Sequence, residues 1–504
     1  MTADLHFACD TPLTRAGAAI DLRARQLAGG LAALGVDDGD VVAVLLRNHP
    51  AYVDVIRACR IAGCFYCPIN WHFKPDEVLH LLRDSQARVL VVQADLLPAL
   101  VGLISAGLQV LVVDADGADR LPAGAHPYDA WLATQPPYAG PPRQPRGHMA
   151  YTSGTTGRPK GVKRHAVPAD QLEAQTAALR EVVAAAFGIV PGVRALVSAP
   201  LYHSAPSLFM QQALDQGALA VLAPRFDAEQ TLALIEQHRI ETVYLVPIMF
   251  VRLLRLPAEV RRRYDLRSLR FVACTGAPCA PEVKRAMLDW LGPVVYETYA
   301  SSETGMLTVQ DPASARRKPA SAGKPIAGAR IRIVAEDGHA CAPGEQGVIY
   351  GRQPAFADFS YQNQPHARAA IERDGLVTLG DVGYLDEDGY LFICDRACDM
   401  VISGGVNIYP AEIEHALMSL PGVADCAVFG IPDEEYGESL AAVIEARDEG
   451  LDAERVRRHL EPLIAGYKLP RRIDFVARLP RDDNGKVAKR RLRDAWWAQR
   501  ERRV

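Results

Sequence analysis

The chain has 504 residues, too many for one hydrophobic core, so two or more domains are expected. Hydrophobic residues make up 49% and charged residues 23%, the balance of an ordinary water-soluble globular protein. A net charge of −4 gives no electrostatic reason to expect a nucleic-acid partner.

In chain order, the start lacks a charged stretch followed by an apolar one, so no secretory leader is expected. Residues 14–33 carry a helical pattern, and Val41-Val-Ala-Val-Leu-Leu is a β-branched run of strand type. Cys64-Phe-Tyr-Cys67 is the only C-x-x-C among ten cysteines. It lies in an apolar run ending at Pro68, which points to buried cysteines in a strand, without a second pair for zinc. Scattered thiols fit a reducing, cytoplasmic compartment. Residues 75–84 are a second helical candidate, followed by the strand-like Arg88-Val-Leu-Val-Val. The apolar region 96–113 is interrupted by Pro98, Ser105, Gly107 and Gln109, and reads as a short helix and then a strand, not a membrane span. Residues 136–145 are a proline-rich loop, and Thr242-Val-Tyr-Leu-Val is a further strand. This alternation predicts an α/β fold: a large multi-sheet N-terminal domain of mostly parallel sheets flanked by helices. After Asp395 the pattern changes to a glycine turn, Ser403-Gly-Gly-Val-Asn-Ile-Tyr-Pro, and a helix over 411–420. We expect a domain at 1–395, a hinge at 396–399 and a small mobile α+β domain at 400–504. The basic run 486–503 reads as a solvated helix face, with an anionic ligand as the alternative.

Tyr151-Thr-Ser-Gly-Thr-Thr-Gly-Arg-Pro-Lys-Gly161 carries the most chemistry. Glycines let backbone N–H groups turn inward, while hydroxyls and a lysine add donors for anionic oxygens. That suits nucleotide phosphates, although the spacing is not that of a Walker P-loop. Composition alone would also allow a flexible surface loop. The order of residues resembles the phosphate-binding signature of adenylate-forming enzymes: acyl-CoA synthetases, peptide-synthetase adenylation domains and luciferases.

The resemblance extends over nearly the whole chain. It implies phosphate contacts at Thr152, Ser153, Gly154, Thr155, Thr156, Gly157 and Lys160. Pro200-Leu-Tyr-His203 resembles the segment whose histidine borders the acyl pocket; taken alone, His203 would read as a satisfied histidine at a strand end. Thr275-Gly276-Ala277-Pro278 resembles the turn against adenine. Glu297-Thr-Tyr-Ala-Ser-Ser-Glu303 resembles Tyr-Gly-x-Thr-Glu, with Glu297 among the nucleotide contacts, Tyr299 stacking on adenine, Ser302 offering a hydroxyl to phosphate, and Glu303 holding Mg²⁺. Ala300 and Ser302 depart from the usual glycine and threonine; the first narrows the acyl entrance and the second keeps the hydroxyl. Asp381 in Leu379-Gly-Asp381 and Arg396 match the ribose contacts, although Leu379 replaces a threonine. Cys398 stands where the hinge normally has Asp or Lys. Gly404 and Gly405 match the segment lining the pantetheine path, Lys468 and Arg471 the region meeting the nucleotide end of coenzyme A, and Gly485-Lys486 the loop with the catalytic lysine.

The resemblance implies attack of a carboxylate on the α-phosphorus of ATP, giving an acyl-adenylate and pyrophosphate, and then thioester formation with coenzyme A. Lys486, Glu303 and His203 would serve the first step, Lys486 by bridging carboxylate and α-phosphate oxygens. A peptide-synthetase adenylation domain would be expected to run on into a carrier domain, and the sequence stops at Val504, so that reading is disfavoured; an acyl-AMP ligase loading a separate carrier protein is the alternative. Segments 202–210 and 246–250 with Met306 match the pocket walls, and their Met and Phe suit an apolar acid, although they would equally make core. Ile69-Asn-Trp-His-Phe-Lys-Pro and the Tyr-Ala at Tyr299 resemble bacterial fatty-acid, steroid-acid and bile-acid ligases. Medium- or long-chain aliphatic acids come first on this reading, aryl or sterol-type acids behind.

Overall fold

A computed structural model describes residues 2–105, 107–115, 121–152, 159–396, 401–403, 406–408, 410–433, 436–447, 450–464, 466–481 and 486–497. Ser153, Gly154, Thr155, Thr156, Gly157, Cys398, Gly404, Gly405 and Gly485 lie outside the described residues.

The continuous apolar runs become fully covered parallel strands, as burial on both faces requires. In one five-stranded sheet the order is Phe65–Pro68, Val41–Leu45, Val89–Gln93, Gln109–Val113 and Ala125–Pro127, all parallel. Every residue of Val41–Leu45 is buried. Cys64 and Cys67 are fully buried beside and within the first of these strands. The helix Pro50–Ala62 is capped by the His49 side chain, which accepts from the Ala51 N–H at 3.1 Å, and it ends at Gly63 in a left-handed conformation. The helical pattern from residue 14 holds only from Gly17 onward. Leu13–Arg15 instead pairs antiparallel with Asp4–Phe7. The helix start is pinned because the Gly17 N–H donates to Asp4 Oδ1 at 2.9 Å, and a Cβ at Gly17 would lie 1.9 Å from the Thr2 carbonyl oxygen.

A nine-stranded sheet holds the rest of the large domain's core. Its parallel part runs Val295–Ser301, Phe271–Cys274, Thr242–Leu245, Arg194–Val197, Leu219–Leu222 and Asp4–Phe7. A small antiparallel sheet joins Ala150–Thr152, Lys160–Arg164 and Phe359–Tyr361. A further sheet contains the hairpin Asp381–Leu385 with Leu391–Arg396. The C-terminal unit is built on the long hairpin Val423–Asp433 with Gly437–Ala446. Its own core includes Val401, Ile413, Leu417, Val428, Ile444, Val456 and Leu460. The fold is thus α/β, a large domain of parallel sheets and a small C-terminal one. No helix among the described residues is long and apolar enough to cross a membrane.

Candidate functional site

The described ends of the phosphate-type motif lie on two antiparallel strands, Ala150–Thr152 and Lys160–Arg164. Thr152 and Lys160 are register partners, so the strands return the chain with both residues at the same level. Across from them, Val295–Ser301 turns through Ser302-Glu303-Thr304 into Gly305–Gln310. The Ser301 hydroxyl accepts from the backbone N–H of Glu303 at 3.2 Å and of Thr304 at 2.9 Å, which fixes the turn. Gly305 closes it at φ 75, where a Cβ would meet the Phe356 ring at 2.5 Å.

Four groups converge on this turn. Thr152 Oγ1 donates to Glu303 Oε1 at 3.0 Å, and the Tyr361 hydroxyl donates to the same oxygen at 3.2 Å. Lys160 Nζ lies 5.4 Å from the Tyr361 ring centroid, within cation–π range. Behind the turn the Arg164 guanidinium donates to the carbonyls of Ser302, Glu303 and Ala357. Burial drops the Arg164 pKa to about 10, against the opposing pull of Glu303 and Asp358, so it stays cationic at neutral pH. Glu303 is 5% exposed. Its Oε1 is held by two hydroxyls, while Oε2 has no protein donor among the described residues. A carboxylate fixed through one oxygen with a threonine hydroxyl beside it is a hard oxygen set that fits Mg²⁺.

The nucleoside candidates form a second group. The Tyr299 hydroxyl donates to Asp381 Oδ2 at 2.6 Å. Asp381 and Arg396 are register partners at the head of their hairpin. Thr378 Oγ1 accepts from the Gly380 N–H at 3.0 Å, placing a threonine hydroxyl one residue before Leu379. Gly276 sits at φ +91, and Thr275 Oγ1 donates to the Thr298 carbonyl at 2.8 Å, tying the turn that includes Ala277 to the strand carrying Tyr299. Glu297 differs from its neighbours. It is buried, accepts from the Cys279 N–H at 3.0 Å and is ion-paired with Lys284, so it braces the same turn from inside the sheet.

On the acyl side, His203 precedes the helix Ser204–Gln216. Desolvation lowers its pKa to about 3, so it is neutral at working pH and serves as a wall or hydrogen-bonding group, not a cation. Ser204 Oγ lies 2.9 Å from Ser302 Oγ and joins this helix to the Glu303 turn. Phe209, Met210 and Phe250 are 1% exposed or less, and Phe209 packs edge-on against Phe187 and Tyr244. They are core residues.

The C-terminal candidates stand apart. Lys486 is half-buried and directly precedes Val487, which bridges to Arg481. Arg471 pairs with Asp433 at 2.9 Å and lies over the Tyr436 ring, while Lys468 pairs with Glu412 at 2.6 Å. Sequence reading missed Tyr361 and Arg164, and took in Ser204 only as part of the segment 202–210. The available signal for Arg164 was its place on the strand that begins at Lys160. Tyr361 enters through a strand pairing some two hundred residues along the chain, which no local pattern announces.

This geometry has counterparts. The family described as AMP-binding enzyme matches residues 16–358, and the description AMP-binding enzyme C-terminal domain matches residues 412–486. The chain belongs to the AMP-binding, adenylate-forming enzyme family. A feruloyl-CoA synthase of an Amycolatopsis species is 36% identical over 486 residues, covering 94% of this chain and 93% of the relative. An indoleacetate–CoA ligase of Aromatoleum aromaticum is 37% identical over 476 residues, covering 92% and 90%. Among solved structures, the o-succinylbenzoate CoA synthetase of Bacillus subtilis, in complex with its acyl-adenylate intermediate, has a TM-score of 0.80 at 27% identity, covering 100% of this chain and 96% of that one.

Proposed function

We propose that the chain is an ATP-dependent acid–CoA ligase that forms an acyl-adenylate and transfers the acyl group to coenzyme A. The observation that carries this reading is the convergence of Thr152, Lys160, Tyr361 and Glu303, with Tyr299 bonded to Asp381 alongside. Thr152 and Lys160 take phosphate oxygens, Tyr299 and the 275–277 turn take the base, and Asp381 with Arg396 takes the ribose. Lys486 bridges the substrate carboxylate and the α-phosphate oxygens, so that charge developing on phosphorus meets a positioned cation. Mg²⁺, held by Glu303, neutralises phosphate charge when bound. Arg164 keeps the Ser302–Glu303 carbonyls fixed, so the carboxylate does not reorganise during the step. Thr152 and Tyr361 orient Glu303 toward the nucleotide.

The second step uses the C-terminal domain, which we place on a hinge at residues 396–399. Supporting a mobile contact, Arg252 faces Arg478 and Arg481; burial chiefly, and these like charges with Arg255, lower its pKa. Like charges across a contact favour separation. Gly404 and Gly405 then leave room for a pantetheine arm, and Arg471 exchanges Asp433 for a coenzyme A phosphate.

The acyl substrate is a bulky apolar carboxylic acid, with aryl acids placed ahead of straight-chain acids. Supporting that order, relatives at 36% and 37% identity are named for feruloyl and indoleacetate substrates. A panel of hydroxycinnamic, arylacetic, benzoic and alkanoic acids, followed by AMP release with coenzyme A present, tests the order. Higher kcat/KM for alkanoic acids would reverse it.

A further inference from the structure

The connection between strands Arg330–Val334 and Gly347–Arg352 reads Asp337-Gly-His339-Ala-Cys341-Ala-Pro-Gly-Glu345, and the ligase chemistry makes no use of it. Three donor atoms of different chemistry, one each from His339, Cys341 and Glu345, lie within 4.8 Å of one another. The imidazole is held from both sides: Nδ1 is 2.6 Å from Asp337 Oδ1, and Nε2 is 2.9 Å from Glu345 Oε1. A carboxylate on the far ring nitrogen fixes the tautomer and plane of metal-binding histidines, leaving the other nitrogen to the ion. Here that leaves Nε2, which lies beside the second carboxylate, to the ion.

The backbone holds the donors in place. Gly338 and Gly344 take left-handed conformations at φ +93 and +83. The Gly344 N–H donates to the Leu385 carbonyl at 2.8 Å, and the Cys341 N–H to the Ile333 carbonyl at 3.0 Å. Glu345 Oε2 accepts from the Ala342 N–H at 2.9 Å, which leaves Oε1 turned toward His339. The side chains of His339 and Glu345 are 52% and 40% exposed, so an ion reaches them from solvent.

We propose that this loop is a second metal site, binding one divalent ion of the zinc class through His339 Nε2, Cys341 Sγ and Glu345 Oε1, with water as the fourth ligand and Asp337 orienting the imidazole. A thiolate, an imidazole and a carboxylate suit Zn²⁺ and Co²⁺ in tetrahedral geometry, and a thiolate disfavours Mg²⁺ and Ca²⁺. On binding, the Cys341 S–H proton and the His339 Nε2–H proton are both released to solvent, and the ion replaces the contact between Nε2 and Glu345. The site lies at the Leu385 end of Asp381–Leu385, the far end of that strand from Asp381.

The test titrates the metal-stripped full chain with Co²⁺ and follows the thiolate-to-cobalt charge-transfer band and the visible d–d bands of tetrahedral cobalt; Zn²⁺ then competes the cobalt away. Cys341→Ser, His339→Gln and Asp337→Asn are compared with the parent. The expected result is one Co²⁺ per chain with a charge-transfer band that Cys341→Ser abolishes. Zn²⁺ affinity falls at least ~10-fold in His339→Gln and about 10- to 100-fold in Asp337→Asn. ATP–pyrophosphate exchange stays at the parent level in all three, showing that they fold. A parent without the charge-transfer band, or a band and Zn²⁺ affinity unaffected by Cys341→Ser and His339→Gln, overturns the proposal and leaves His339 as an ion-paired clamp on the hairpin.

Discussion

Glu303 is a buried carboxylate held through one oxygen, and the proposed role in binding a cation rests on that geometry. Two hydroxyls fix Oε1 and leave Oε2 for a cation, so losing the charge and losing a support should differ in size. Glu303→Gln is expected to lower ATP–pyrophosphate exchange at least ~100-fold, the scale of a lost transition-state charge contact. Tyr361→Phe removes one neutral donor and should cost about 5-fold, as about 1 kcal/mol of hydrogen bonding implies. Equal losses in both variants would mean that Tyr361 touches the nucleotide itself. Glu303, Thr152, Lys160, Tyr299 and Asp381 were singled out from short motifs whose chemistry is local, and the structure brings Thr152 to Glu303 and Tyr299 to Asp381. Tyr361 was not singled out, because its partnership is made by sheet register. Glu297 sits in a legible motif too, yet its brace on the Cys279 turn depends on Lys284 from a separate helix.

Histidine titration gives a second residue-scale outcome. Desolvation brings His203 to about 3 and, together with Arg164 nearby, brings His148 to about 4. Both are below the unfolded value of about 6.5, so folding favours the neutral imidazole. Their contribution is fully present above the unfolded pKa and is lost as pH falls below it, by up to ~1.4 kcal/mol per pH unit for each histidine. Urea unfolding midpoints should drop between about pH 7 and about pH 5, and His148→Gln should flatten that drop. An unchanged slope in the variant would count against a desolvated His148.

At the scale of elements, the strand Lys160–Arg164 is the spine of the site. It presents Lys160 at one end and buries Arg164 against the Glu303 turn at the other. Arg164→Met strands carbonyls that the guanidinium now satisfies, and should destabilise the chain by about 2–4 kcal/mol. Pyrophosphate exchange measured on the folded fraction should also fall, because the turn loses its anchor. Loss of stability with full exchange per folded molecule would confine Arg164 to a structural role. The parallel strands were legible as unbroken β-branched runs. The strand at Leu13–Arg15 was hidden by a helical pattern that continues through it, and only the Asp4 cap and the close approach of Thr2 fix where the helix begins.

At the scale of the whole molecule, a large α/β domain followed by a small C-terminal one was legible in the change of sequence pattern along the chain. The arrangement that sets Arg252 near Arg478 and Arg481 was not, because it joins segments more than two hundred residues apart. On the proposed function, the two half-reactions draw differently on the two domains. Cys398→Pro should depress thioester formation more than adenylation, by restricting rotation at the hinge; equal losses in both would place the hinge elsewhere. Lys486→Ala should lower exchange at least ~100-fold, as for a lost charged contact to the transition state.

The most direct test of the central claim is a single-turnover reaction with ATP, Mg²⁺ and a hydroxycinnamic or arylacetic acid, quenched before and after coenzyme A is added. The account predicts acid-dependent pyrophosphate and an enzyme-bound acyl-adenylate in the first sample, then AMP and acyl-CoA in equal amounts in the second. Pyrophosphate release that ignores the acid, or an adenylate that persists when coenzyme A is supplied, would contradict it.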